Sequence, residues 1–241
     1  MRLNLNILAD AREAAGACAA YIAAVLRQEI ADHEVATLAV SGGSTPGLMF
    51  DALVNEPLDW FRIHIFFVDE RPVPPGDPQS NYTLCETHLL RPAGVRAGSV
   101  HRILTERGPA TAAALYSEEI KGFFDQMSDE QPCFTIVQCG IGPDCHTASL
   151  FPGEPLIDDR EGLVAAVEVA KLHQARITML PRILLNAKTL VVLASGPEKA
   201  QPLRQAIHEA YNPKQFPAQL LFRDRTDVDL FADNAAAADL R

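Results

Sequence analysis

Short apolar runs that stop at glycine or at charged residues are the feature of this sequence that most constrains its fold. Runs of this length, rich in branched and aromatic residues, are typical of buried strands. Segments with helical periodicity separate them, and this alternation favours a parallel sheet. We therefore predict an α/β fold with a Rossmann-like, doubly wound, mostly parallel sheet and helices on both faces. The clearest predicted strands are residues 36–41 (ATLAVS), 63–69 (IHIFFVD), 134–140 (FTIVQCG) and 189–195 (TLVVLAS).

Weaker patterns complete the predicted order of elements. Residues 10–31 place apolar side chains on one helical face, which indicates an amphipathic helix. Pro46 suits the first turn of a helix, and Pro181 interrupts an apolar segment and precedes a short helix. The other predicted helices are residues 80–90 and 111–126, and the weaker predicted strands are residues 162–169 and 219–224.

The composition is that of one globular domain. The chain has 241 residues, of which 48% are hydrophobic and 22% charged. It shows no linker or repeat, so residues 1–241 are expected to form a single domain. The net charge of −10 argues against nucleic-acid binding, which needs a basic face. An anionic small molecule stays open, because a few cations and a helix N-terminus can hold a phosphate.

Cysteine usage and hydropathy predict a cytoplasmic protein. The chain has 5 cysteines, an odd number without CxxC spacing, which indicates neither a disulfide framework nor a zinc ribbon. This usage is typical of a reducing compartment. The N-terminal segment lacks the basic and early apolar regions of a signal peptide. No apolar stretch is long enough for a membrane span, so no membrane partner is expected.

The segment SGGSTP, residues 41–46, joins a predicted strand to a predicted helix. Glycines allow a ligand to approach the backbone closely, and free N–H groups at a helix start favour an anion. In parallel sheets, ligands bind outside the carboxyl ends of the strands, where this turn is expected to lie. An ordinary capped turn would also explain the segment, which is neither a Walker loop nor a dinucleotide fingerprint.

Charged residues follow the other predicted strands. Asp69, Glu70 and Arg71 end the run IHIFFV, and an arginine there can donate two hydrogen bonds to a phosphate or carboxylate. Arg176 and Lys199 lie beside later strands and could add positive charge to the same site. Each of these residues, taken alone, is more often a surface ion pair or a solvated charge than part of a site.

The loop GIGPDCHTASLFP after residue 139 carries the candidate base. A histidine imidazole ordinarily titrates near neutral pH and can act as a base there, and Asp144, two residues before His146, could orient the ring and stabilise its charged form. A structural His–Asp pair is one alternative. Zinc ligation by His146 with Cys139 and Cys145 is another, although no fourth ligand has suitable spacing. Ser149 as a nucleophile is a third, but no GxSxG motif surrounds it.

Several motifs together resemble those of the 6-phosphogluconolactonases, within the glucosamine-6-phosphate isomerase/6-phosphogluconolactonase family. They occur in that family's order and spacing: SGGSTP, VDERPVPPGDPQSNY, GIGPDCHTASLFPG, RITMLP with LLNA, and SGPEKA. The resemblance implies a sugar-phosphate isomerase-like fold and hydrolysis of 6-phospho-D-glucono-1,5-lactone to 6-phosphogluconate, in the oxidative pentose phosphate pathway. It implies no metal and no cofactor, and a small-molecule sugar-phosphate lactone as the partner. We expect a monomer or a homodimer.

The resemblance also assigns roles to residues of this chain. His146 resembles the family's general base and Asp144 the carboxylate beside it, whereas Arg176 and Lys199 resemble phosphate-site cations. The other residues that resemble the family's substrate-binding positions are Gly42, Gly43, Ser44, Thr45, Asp69, Arg71 and Asn81.

One position departs from the family's pattern, and another bears on which member of the family the chain resembles. Cys145 stands where the family usually has glycine, and a glycine there would serve a positive φ or a close approach of the substrate. The related deaminases carry an acidic residue five positions after the histidine, where this chain has Phe151. An amino-sugar-phosphate isomerase or deaminase is therefore the alternative function that Phe151 disfavours. A non-catalytic sugar-phosphate sensor is a further alternative, disfavoured because Asp144 and His146 are both present.

Overall fold

The computed structural model describes residues 2–127 and 131–240. Its strands are β1 (Arg2–Leu8), β2 (Ala36–Val40), β3 (Ile63–Phe67), β4 (Asp69–Glu70), β5 (Val100–His101), β6 (Phe134–Cys139), β7 (Val164–Val169), β8 (Gln174–Met179), β9 (Ala187–Ala194) and β10 (Asp227–Asp233). Its α-helices are α1 (Ala11–Asp32), α2 (Ser44–Leu53), α3 (Asn81–Cys85), α4 (Pro109–Gln126), α5 (Pro181–Leu184), α6 (Ala200–His208) and α7 (Gln219–Arg223). A π-helical turn, Glu86–Leu90, continues α3. Within these ranges, no helix combines the length and apolarity that crossing a bilayer requires.

A seven-stranded parallel sheet in the order β1-β10-β9-β6-β2-β3-β5 is the centre of the fold. Every residue of β2 and β6 is buried. The chain runs from β2 outward to β3 and β5, and then returns to the other side of β2 to form β6, β9 and β10. The strand order therefore reverses between β2 and β6, and crevices at such reversals are where ligands bind in doubly wound sheets. The predicted α/β fold is confirmed.

The long helices attach to this sheet through buried side chains. Helix α1 begins where Asp10 accepts a hydrogen bond from the Glu13 amide at 2.9 Å, which satisfies an N–H group that the helix itself cannot bond. Its buried face includes Cys18, Ile22 and Leu26, as the periodicity predicts. The buried hydroxyl of Tyr116 bonds to the backbone of Phe67 and fixes α4 against the end of β3.

A second, smaller sheet is antiparallel and has the order β4-β8-β7. Asp69 pairs with Thr178 and Glu70 with Ile177, so the segment that leaves β3 joins a different sheet at once. The predicted strand 162–169 is confirmed as β7, but it lies in this small sheet. The predicted break at Pro181 is also confirmed, since α5 begins there.

The prediction is wrong near both ends of the chain. Residues 219–224, predicted as a strand, contain helix α7, in which Leu220, Leu221 and Phe222 are all buried. A short apolar run fits a buried helix turn as well as a strand. The last strand is β10, which pairs with β1 on one side and β9 on the other. Strand β1 is missing from the prediction, although RLNLNIL alternates apolar and polar residues.

A buried carboxylate closes the proline-rich loop after β4. The Glu70 side chain accepts hydrogen bonds from the amides of Arg71, Asn81 and Tyr82 and from the hydroxyl of Ser80, at 2.7–2.9 Å. Burial raises the pKa of Glu70, and these four hydrogen bonds oppose that rise. The two ends of the loop are therefore held together at one carboxylate, which also sets the start of α3.

Replacing Glu70 with glutamine is expected to lower the free energy of unfolding by about 2–4 kcal/mol, because an amide NH₂ would face donors that then lack an acceptor. Urea denaturation measures the change. Glu118→Gln is the control, since the Glu118 side chain is 74% exposed, and it should leave stability unchanged. Equal stability of Glu70→Gln and the unmodified protein would contradict the structural role of the carboxylate.

Candidate active site

Three adjoining cavities lie at the carboxyl ends of β2 and β6, where the strand order reverses. The central cavity has a volume of about 200 Å³ and is lined by residues that include Ser41, Gly42, Arg71, Asn81, His146 and Lys199. A small cavity of about 130 Å³ continues along the glycine turn, residues 42–45, to Ser195 and Lys199. An outer cavity of about 400 Å³ lies on the other side of His146 and includes Lys171 and Arg176.

The loop that follows β6 holds His146 in a tight turn. The Gly142 amide donates to the His146 carbonyl at 2.8 Å, and the Cys145 amide donates to the Gly142 carbonyl at 3.0 Å. A Cβ atom at Gly142 would lie 2.0 Å from two atoms of the His146 ring. Only glycine therefore allows the imidazole to occupy this position.

Two non-glycine residues of this loop have left-handed backbone conformations. The φ angles are 66° at Cys145 and 48° at Ala148. The inference that a glycine at position 145 would serve a positive φ is therefore consistent with the backbone. Strain of this kind persists only where the surrounding structure enforces it, and it is concentrated at functional sites. The Cys145 thiol is buried and contacts the carbonyl of Pro202 at 3.5 Å.

The His146 imidazole is oriented by Asp144. Its Nδ1 is hydrogen-bonded to Asp144 Oδ1, and Nε2 has no hydrogen-bond partner among the described residues. Burial lowers the pKa of His146 to about 4; Asp69 opposes this shift, and the positive charges of Lys199, Arg176 and Arg71 add to it. The ring is thus neutral at pH 7, and when Nδ1 donates to Asp144 its Nε2 lone pair is free to accept a proton.

Asp69 organises the floor of the central cavity. Its carboxylate accepts hydrogen bonds from Asn81 Nδ2 at 2.9 Å and from Ser149 Oγ at 2.6 Å. The Ser149 hydroxyl is buried and directed at Asp69 rather than at His146, which disfavours Ser149 as the nucleophile. Asn81 Oδ1 lies against the glycine turn, where a Cβ atom at Gly42 would come within 1.8 Å of it.

The glycine turn, residues 42–45, leads directly into α2. Gly43 has φ 117°, a conformation that suits glycine, and Ser44 is the first residue of the helix. The Thr45 hydroxyl is 2.7 Å from the Ser195 hydroxyl, at the end of β9. The start of α2, the residues Thr45 and Ser195, and Lys199 with its ion-pair partner Glu198 therefore line one small cavity. The helix N-terminus and the lysine are groups that favour an anion.

The cations predicted from the sequence lie on two sides of His146. Lys199 lines the central and small cavities, Arg176 lines the outer cavity, and Arg71 lines both the central and the outer one. Arg71 also donates to the Gln79 carbonyl at 2.6 Å, which keeps its guanidinium against the proline-rich loop. All residues predicted for the site line at least one of these cavities.

Two further site residues were not predicted from the sequence. Ser195 faces the glycine turn, and its position as the last residue of the predicted strand 189–195 is a signal that could have indicated it. Lys171 lies in the turn between β7 and β8 and forms an ion pair with Asp144 Oδ2. No motif marks Lys171 in the sequence, because its place depends on the pairing of β7 with β8.

Comparison with known proteins places the chain in a family. A family model described as glucosamine-6-phosphate isomerases/6-phosphogluconolactonase matches residues 9–230. The chain belongs to this family.

The 6-phosphogluconolactonase of Treponema pallidum is 36% identical to this chain over 204 residues, which cover 83% of each protein. The human 6-phosphogluconolactonase is 32% identical over 206 residues, covering 83% of this chain and 79% of the human protein. The crystal structure of a 6-phosphogluconolactonase from Shewanella baltica has a TM-score of 0.83 at 26% identity over 97% of both chains.

Phe151 occupies the position at which the family's deaminases are expected to carry an acidic residue. Its ring centroid lies 4.3 Å from that of His146, so an aromatic ring, rather than a carboxylate, borders the imidazole at this point. The zinc alternative also finds no support in the geometry. Within residues 2–127 and 131–240, no group of three or more His, Cys, Asp or Glu side chains is arranged to hold a metal ion.

The positive φ at position 145 leads to a prediction about stability. Cys145→Gly should be more stable than Cys145→Ala by about 1 kcal/mol. Alanine keeps the steric cost of a left-handed residue, about 1–2 kcal/mol, whereas the extra freedom of glycine in the unfolded chain costs about 0.5–1 kcal/mol. Thermal or urea unfolding of both variants measures the difference.

The control for this prediction is the same pair of variants at Cys85. This buried cysteine has φ −62° at the end of α3, where alanine should be the more stable of the two residues. An alanine variant that is also more stable than glycine at position 145 would contradict the strain inferred there.

Proposed function

We propose that this protein hydrolyses 6-phospho-D-glucono-1,5-lactone to 6-phosphogluconate, with His146 as the general base and without a metal. The family and its 6-phosphogluconolactonase relatives support the substrate and the reaction. The observation that carries the mechanism is the position of the His146 imidazole, whose Nδ1 is bonded to Asp144 and whose Nε2 has no protein partner in the described ranges. It lines a cavity that it shares with Gly42, Arg71 and Lys199.

In this proposal, the phosphate of the substrate binds beside Lys199 and the amides of the glycine turn. Arg71 and Arg176 add positive charge from the other side of His146. Binding the phosphate away from the reacting carbon positions the lactone ring without taking part in the chemistry, and that binding energy supports the chemical step. Asp69 and Asn81 border the ring and set the shape of the cavity floor.

His146 Nε2 then accepts a proton from a water molecule as the water oxygen attacks C1 of the lactone. Asp144 stabilises the resulting imidazolium, and Arg71 or backbone amides stabilise the oxyanion. The tetrahedral intermediate collapses as the bond between C1 and the ring oxygen breaks. His146 returns its proton to that oxygen, which leaves a carboxylic acid and a free hydroxyl group.

The rate enhancement required is modest for an enzyme. Activated δ-lactones already open in water, and a positioned general base contributes about 10²–10⁴-fold. Fixing the substrate by its phosphate supplies a further contribution through orientation. One histidine, one carboxylate and a cationic anchor are therefore chemically sufficient for this reaction.

His146→Gln should lower kcat for lactone opening at least about 10²-fold, because glutamine keeps the polarity of the side chain but cannot act as a base near neutral pH. Acid release from freshly generated 6-phosphogluconolactone, corrected for spontaneous hydrolysis, measures the rate. His88→Gln is the matched control, since His88 also pairs with an aspartate, Asp51 at 2.8 Å, but lines none of the three cavities. A kcat of His146→Gln close to that of the unmodified protein would exclude the general-base role. If the unmodified protein released ammonia from glucosamine 6-phosphate and did not open the lactone, the proposed substrate would be wrong.

The pH dependence of kcat/KM provides a second test. The base is active when unprotonated, and the pKa of His146 is lowered to about 4. The contribution of the enzyme should therefore stay constant from neutral pH down to about pH 5 and fall only as the pH approaches 4. Because the substrate phosphate has a second pKa of about 6, initial rates at low substrate concentration are divided by the dianionic fraction of the substrate. A remaining limb centred near the ordinary histidine pKa of about 6.5 would contradict the assignment.

A further inference from the structure

The turn between β7 and β8 reaches the candidate active site, although the mechanism above assigns it no part. The turn consists of Ala170–Leu172 in a single 3-10 turn, followed by His173 with φ 48°. Both Lys171 and Leu172 line the outer cavity beside His146. The turn that joins two strands of the small antiparallel sheet therefore places a lysine at the edge of the site.

Lys171 contacts both groups that support the His146 imidazole. Its ammonium group pairs with Asp144 Oδ2, while Asp144 Oδ1 is bonded to His146 Nδ1. The same ammonium group lies 4.8 Å from the centroid of the Phe151 ring, which in turn packs against His146. Each carboxylate oxygen of Asp144 thus has a separate partner, and one lysine bridges the carboxylate and the aromatic ring.

We propose that Lys171 is a positioning residue for His146 and acts through Asp144 and Phe151. This inference rests on the proposed function, in which His146 is the base. With Oδ2 held by Lys171, the Asp144 side chain has one favoured rotamer, and that rotamer directs Oδ1 at the imidazole. The Lys171 side chain is 47% exposed, so its removal should not disturb the core.

Lys171 also balances the charge around the imidazole. The charged groups facing His146 are Asp144 and Lys171 on one side and Asp69, Arg71, Arg176 and Lys199 around the cavities. Without Lys171, the negative charge of Asp144 would no longer be compensated by a nearby positive charge. This change favours the imidazolium, so the pKa of His146 should rise.

The test compares Lys171→Met, which keeps the aliphatic stem, with Lys171→Arg, which keeps the charge. Lys171→Met should lower kcat about tenfold, through loss of orientation, and change KM less than about threefold. It should also move the acid limb of kcat/KM to higher pH by about one unit. Lys171→Arg should restore most of the lost kcat and return the limb toward its original position.

Lys214→Met is the matched control, because Lys214 also forms an ion pair with an aspartate, Asp158 at 2.8 Å, but lines none of the three cavities. It should leave kcat, KM and the acid limb unchanged. An unchanged kcat and limb in Lys171→Met would overturn the proposal. So would a rise in KM alone, because that pattern would make Lys171 a direct phosphate ligand.

Titration of the His146 ring protons by NMR separates this proposal from the proposed function, because it requires no turnover. The pKa of His146 should be higher in Lys171→Met than in the unmodified protein, and the Lys214→Met value should not change. Equal values in all three proteins would overturn the electrostatic role of Lys171. Failure of the unmodified protein to open the lactone would instead overturn the proposed function and leave the measured pKa difference intact.

Discussion

Parallel pairing of β2 with β3 on one side and β6 on the other is the constraint on which the site depends. Strands that run in the same direction end at the same edge, and the chain must leave β2 and β6 in opposite directions to complete the sheet. Because the chain leaves β2 and β6 in opposite directions, neither connection fills the crevice between the ends of these two strands. The glycine turn and the His146 loop are the two connections that border it, so the candidate site follows from the topology of the sheet.

Contacts within the protein hold the groups around this crevice in place. The imidazole is held by a carboxylate, by a turn in which Cys145 and Ala148 have positive φ angles, and by the packed ring of Phe151. The opposite wall is held by the buried Glu70 carboxylate and by hydrogen bonds from Asn81 and Ser149 to Asp69. Such preorganisation reduces the rearrangement that a reaction requires, and strain is tolerated because the packed surroundings enforce it.

The sequence alone was sufficient for the central strands and for most of the candidate site. The apolar runs of β2, β3 and β6 are long enough to be recognised, and their glycine or charged ends mark the edge at which the candidate site lies. It was insufficient near the ends of the chain, where α7 has the composition of a strand and about half of the residues of β1 are polar. It also missed Lys171, because the contact with Asp144 depends on the antiparallel register of β7 and β8, which no local pattern specifies.

The close approach of Asn81 to Gly42 has a consequence for how this surface can change. A methyl group on residue 42 would occupy the place of the Asn81 amide oxygen, and the displaced amide would release its hold on Asp69. A shorter residue at position 81 would make room for that methyl group but would leave Asp69 without the same donor. Gly42 is therefore tied to Asn81, because a side chain at position 42 requires a change at position 81 that removes the donor holding Asp69.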